Sequence, residues 1–187
     1  DVSSVTQMHY MFASTNDFNQ DIGSWNVGNV TDMGWMFYNA SSFNQDIGGW
    51  DTSSVNALDG TFRGASAFDQ DINAWDTSNV QSLHQTFMLA SSFNRPLDQC
   101  DVSNVTDMSS TFNQATSFNQ AIGGWDTRNV TTMQSMFFGA RSFNHDLSAW
   151  LTGNVTNMDA MFRRAESFNN LVGSWDTSSV TTFQDMF

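Results

Sequence analysis

One column of aspartates, Asp51, Asp76, Asp101, Asp126 and Asp176, recurs at a fixed 25-residue interval, with Asp1 before it and Asn26 and Leu151 interrupting it. Carboxylates in register are the residues of this chain best suited to chemistry. Held about 4.8 Å apart, one per strand spacing, neighbouring charges repel by roughly 1 kcal/mol even in water, so something must offset them. An Asp followed by Thr-Ser accepts the amide two residues on, as in an Asx turn. The alternatives are a bound calcium ion, the cation suited to oxygen ligands, and a basic or glycan ligand lying on this face. No other metal and no cofactor is expected.

The remaining polar columns point to structure. Asp21, Asp46, Asp71 and Asp146 form a broken acidic column that reads as a solvated turn. Asn19, Asn44, Asn94, Asn119, Asn144 and Asn169, with Asp69 once in their place, read as a side-chain ladder that satisfies backbone groups at a bend. His9 and His84 share a column but stand three repeats apart, too far for one metal, and His145 lies elsewhere. A single cysteine, Cys100, excludes an internal disulfide and a zinc cluster. It sits in a tryptophan column and reads as a small buried substitute, the alternative being a reactive thiol or an intermolecular bridge. No nucleophile, base and orienting group are implied together, and no glycine-rich phosphate loop appears, so an enzyme is not expected.

These columns are positioned by a repeat that runs through all 187 residues without insertion. Trp25, Trp50, Trp75, Trp125, Trp150 and Trp175 fill one slot, and Phe37, Phe62, Phe87, Phe112, Phe137 and Phe162 another. A fixed period of this length signals a solenoid, whose units bury their apolar faces only against one another. Within a unit, Met33, Met36, Phe37, Ala40 and Phe43 follow the i, i+3, i+4 spacing of a short helix. Thr31 or Asn29 would cap that helix, and Asp32 would suit its dipole. Trp50 and Thr52 alternate with Asp51 and Ser53 as in a very short strand. The expectation is a leucine-rich-repeat-like, right-handed α/β solenoid with one short parallel strand and one short helix per repeat. Seven full repeats and a half make residues 1–187 one domain, about 36 Å long at strand spacing. Its ends, both within a repeat, suggest a piece of a longer chain.

The middle departs from the pattern. Thr61, Thr86 and Thr111 replace Met, Leu58 and Leu83 replace another Met, and Arg95-Pro96 replaces Gln-Asp, which suggests a differently packed core there, the alternative being a functional patch. Leu151 and Leu171 stand in for aspartates and predict an apolar spot. Arg63, Arg141, Arg163 and Arg164 fall just beyond the predicted helix, where they would favour its C-terminus or meet an acidic neighbour.

The charge balance is acidic: 19 Asp and Glu against six arginines and no lysine give a net charge of −13. Such a chain repels phosphate backbones, so nucleic acid is not an expected partner, and an anionic membrane surface is disfavoured for the same reason. No apolar run of about 18 residues exists to form a transmembrane segment.

The pattern W-D-T-S-x-V-T-x-M-x-x-M-F-x-x-A-x-S-F-N-Q-D-I-G resembles the BspA-like leucine-rich repeats of bacterial surface proteins, also known as a surface protein repeat of about 25 to 26 residues. The resemblance covers the whole chain. It implies an extracellular or cell-surface location and, for some members, adhesion. The function expected is therefore a non-enzymatic interaction module that binds a protein or glycan through the solenoid surface. The alternative is a structural subunit that self-associates end to end into filaments or a surface layer. A direct join of the two ends would omit about half a coil, which favours adhesion.

Overall fold

Two ladders of phenylalanine rings run through the computed structural model, which describes residues 1–187. In the first, Phe37, Phe62, Phe87, Phe112, Phe137 and Phe162 stack with ring centroids 5.5–5.7 Å apart. In the second, Phe43, Phe68, Phe93, Phe118, Phe143 and Phe168 stack at 5.9–6.1 Å. Within one repeat the two rings also lie face to face, 4.0 Å apart for Phe37 and Phe43. Each 25-residue period, 1–25 through 151–175, thus forms a coil laid directly on the last, and 176–187 opens a further one. A single apolar cluster, from Met8 to Trp175, fills the interior.

The helix and strand expected in each coil are not there. The only β-structure is a set of isolated parallel bridges, such as Asp32 with Ala57 and Asp107 with Thr132. The segment 33–40, whose apolar spacing predicts a helix, is a run of overlapping turns. Met36, Tyr38 and Ala40 donate their amides to the carbonyls of Met33, Trp35 and Phe37, three residues back. The intervening amides of Met33, Trp35, Phe37 and Asn39 donate instead to Ala57, Asp59, Thr61 and Arg63 of the next coil. Beyond its first turn a helix would spend its amides inside its own segment and, at about 10 Å across, could not fit between coils separated by one ring thickness. The turn run satisfies the same apolar spacing while bonding outward. Its cost is two left-handed residues per coil, Trp35 at φ 57° and Asn39 at φ 54° in coil 26–50. The leucine-rich-repeat-like α/β fold is thereby corrected to a helix-free stack of turns.

The expected caps do other work. Thr31 donates its hydroxyl to Thr6 (3.1 Å) and Asn29 its amide to Ser3 (2.8 Å), both in the preceding coil. Bridging occurs at Asp32 and its equivalents, rather than at Trp50–Thr52. Thr52 is nonetheless buried, and its hydroxyl donates 3.1 Å to the Asp76 carbonyl.

The tryptophans form a third ladder. Trp50 stacks on Trp75 at 6.2 Å, and Trp125, Trp150 and Trp175 stack at 6.4 and 6.3 Å. A buried indole needs an acceptor, and each finds the carbonyl 28 residues earlier: Trp75 reaches Ile47 at 3.1 Å and Trp125 reaches Leu97 at 2.8 Å. Trp25, in the first coil, is only partly buried. Cys100 breaks the ladder. It leaves the Ile72 carbonyl without an indole donor and a cavity of about 30 Å³ lined by Leu58, Trp75, Leu83, Leu97 and Trp125 among others. Burial pushes its thiol up to about 12, so it is not a thiolate at neutral pH. The threonines of the middle coils are buried and satisfied: the hydroxyls of Thr61 and Thr111 each lie between two carbonyls that share their one proton, and Thr86 donates to that of Leu58.

Substituting Cys100→Trp is expected to raise the denaturant midpoint, with a gain of about 1 kcal/mol from the filled cavity and the restored indole bond. Trp125→Ala is expected to lower stability by about 3–5 kcal/mol. A lower midpoint for Cys100→Trp would show that the slot has closed around the thiol.

Candidate functional site

The aspartate ladder is held by its own coils. Ser53 donates its amide (3.1 Å) and hydroxyl (2.7 Å) to Asp51, and Ser78 does the same for Asp76 at 3.0 and 2.6 Å. Asp101 accepts the amide of Ser103 at 2.9 Å and Asp176 that of Ser178 at 2.9 Å. Asp126 accepts both the amide and the Nε of Arg128. These are Asx turns, absent from the coil that carries Leu151 in the column. The serine hydroxyl bonds, then the amide bonds, hold Asp51, Asp76 and Asp176 below the usual carboxylate range, and the Arg128 side chain does so for Asp126. Local donors therefore supply what the repulsion along the column requires. For calcium the geometry is poor: no three Asp, Glu, His or Cys side chains converge anywhere in the chain.

The asparagine ladder bonds coil to coil. The side-chain oxygen of Asn19 accepts the amide of Asn44, and Asn94, Asn119 and Asn144 serve Asn119, Asn144 and Asn169, each at 2.9 Å. A second donor comes from the residue following the asparagine of the next coil, as Gln45 bonds Asn19 and Gln120 bonds Asn94. Where Asp69 brings a negative charge into this column, Arg95 occupies the glutamine position and pairs with it at 2.7 Å. That pairing accounts for the arginine that seemed out of pattern.

One polar group has no counterpart in the sequence reading. His84 Nδ1 lies 2.7 Å from the Ser109 hydroxyl, which donates to Asp107. Because the single hydroxyl proton goes to the carboxylate, His84 Nδ1 must donate to the serine rather than take its proton. A nucleophilic serine needs the reverse order, with histidine as base between serine and acid. The arrangement is a hydrogen-bond chain between coils.

A different surface gathers the unusual side chains. Both tyrosines, Tyr10 and Tyr38, and Trp35, the tryptophan outside the tryptophan column, lie together on the outer side of the turn run. Tyr10 stacks on Trp35 at 5.9 Å, and Tyr38 meets it edge-on at 5.6 Å. The Arg63 guanidinium lies 5.6 Å from the Trp35 ring and 5.3 Å from Tyr38. Of the arginines placed beyond the predicted helix, Arg141 pairs with Glu166 at 3.3 Å and Arg163 with Asp185 at 2.9 Å. Arg164 lies over Phe138 at 5.9 Å. With no helix present, none of them serves a helix end. The positions equivalent to 10, 13 and 14 carry no acidic residue until Asp185, whereas the Asp51 and Asp46 columns lie about half a coil away along the chain. Tyr10, Trp35 and Tyr38 repeat nothing from coil to coil, so column identity does not single them out. Their being aromatic and out of register was the available signal.

The model of the family described as Mycoplasma protein of unknown function, DUF285, matches residues 1–100 and again 81–187. The two matches span the chain, which belongs to that family. No curated protein matches it.

The lowered carboxylates make the ladder a source of acid sensitivity. Their folded values lie below the unfolded ones, so their contribution is complete above about pH 4 and is lost as pH falls through the folded values. Substituting Ser53→Ala and Ser78→Ala is expected to raise the Asp51 and Asp76 titration midpoints, followed by carboxyl carbon NMR. Unmoved midpoints would mean that the serine hydroxyls do not hold the ladder.

Proposed function

We propose that this DUF285 chain is a non-enzymatic interaction module, outside the cell or on its surface, that binds a protein or glycan through the aromatic–arginine face around Tyr10, Trp35, Tyr38 and Arg63. The observation that carries this reading is the contrast between faces. Most columns repeat residues that shape or bond the coil, while this face varies from coil to coil and leaves large side chains outside the core, Trp35 and Tyr38 among them. Exposed aromatics and arginine are the side chains that dominate binding surfaces. The likeness of the repeat to BspA-like surface proteins supports a location outside the cell and an adhesive role. The acidic balance speaks against a nucleic acid. No helix is long and apolar enough to cross a membrane.

The intact protein is to be tested on a glycan panel and on immobilised extracellular proteins, beside Trp35→Ala. Binding weakened about tenfold or more by the substitution is expected. Binding that Trp35→Ala leaves unchanged would move the site to another face. Growth of the protein alone into long assemblies in light scattering, with no ligand bound, would favour the self-associating subunit instead.

A further inference from the structure

Arg63 stands apart among the charged groups. The chain carries 19 acidic residues, yet no carboxylate lies within ion-pair distance of Arg63, whereas Arg95, Arg128, Arg141 and Arg163 each have one. A guanidinium has five N–H donors. One, on Nη1, bonds the Gln85 side chain at 2.8 Å, and Nε is covered without a hydrogen-bond partner. Three terminal donors remain, on a planar group that lies over the Trp35 and Tyr38 rings. Arg164 repeats the device on Phe138, also without an acidic partner.

The shelf under Arg63 is built rather than incidental. Gly60 takes φ +58°, but so do non-glycine residues in the same column, Gln85 at 57° and Ser110 at 56°, so backbone conformation alone does not require glycine there. The Trp35 ring does: a Cβ at Gly60 would lie 2.5 Å from it. Gly60 opens the space in which Trp35 lies along the next coil, with Tyr10 stacked on its other side. Trp35 and Tyr38 are half-buried, and Asn39 and Gln85 follow in the same turn runs.

We infer that this shelf binds an acidic sugar, a saccharide ring bearing one carboxylate, with the carboxylate on the Arg63 terminal nitrogens and the ring against the aromatic side chains beside Arg63. The planar fork of arginine matches a carboxylate, and the electron-rich aromatic face attracts the slightly positive C–H groups of a sugar ring. A peptide is the poorer match. The amides of Trp35, Asn39, Gly64 and Leu89 are already bonded to the next coil, so between Trp35 and Leu89 the face offers no open strand edge for a peptide backbone. Asp32 and Asp59, the carboxylates beside the shelf in sequence, are already engaged by the Gly34 amide and the Ser82 hydroxyl, and the Asp51 and Asp46 columns lie about half a coil away along the chain.

This inference rests on the binding face proposed above. Titration of the intact protein with methyl glucuronoside, methyl glucoside and N-acetylglutamate, followed through the Trp35 indole N–H signal, tests it. The glucuronoside is expected to bind about 10- to 100-fold more tightly than the glucoside, and Arg63→Gln, with unchanged thermal midpoint, to remove that difference. Equal affinity for the glucoside, or for N-acetylglutamate, would overturn the acidic-sugar assignment. Absence of all three alongside Trp35-dependent binding to another partner would also overturn it, while leaving the face as the binding site. Absence of any Trp35-dependent binding would end both readings.

Discussion

Every coil must hand about half of the amides in its turn run to the coil that follows. Met33, Trp35, Phe37 and Asn39 donate to Ala57, Asp59, Thr61 and Arg63, and the pattern recurs along the stack. A backbone bonded in this way tolerates no drift in register, because a one-residue slip would misdirect every donor and move each inward ring outward. The strict 25-residue period is the sequence consequence. Left-handed residues such as Trp35 and Asn39 are another, since alternate amides can point to a neighbour only if the chain reverses its handedness within each turn.

Side chains finish what the backbone leaves open. Asparagine oxygens accept amides across coils, aspartate oxygens accept them within coils, and indole N–H groups reach the carbonyl of the coil before. The interior is stacked rings, so the apolar and polar parts of the fold share one spacing. The acidic edge is thus a structural device with its charges individually hydrogen-bonded, and the chemistry left over lies on the face where coils differ.

Substitutions in this fold are answered in the next coil rather than beside themselves in sequence. Asp69 is answered by Arg95 and Trp35 by Gly60, at spacings of 26 and 25 residues. Cys100 is not answered: the Ile72 carbonyl loses its indole donor, and a cavity remains between coils. A chain whose neighbours in space sit one period away carries its compensations at that period.

Periodicity was legible from the residues alone. Which positions are core, that the Asn column bonds along the stack and that the Asp column could be held by Asx turns all follow from column identity, because side chains in register meet the same surroundings in each coil. The aromatic face was present in the sequence only as residues that broke the pattern, and its assembly with Arg63 required three coils to be brought together. The local conformation was not legible. Apolar residues at 33, 36, 37 and 40 describe a helix and a turn run equally well, since both place them inward. What separates the two is the destination of the amides, and that depends on a neighbouring coil lying one ring thickness away. Only the tertiary stack supplies that neighbour, and so only it decides between helix and turn.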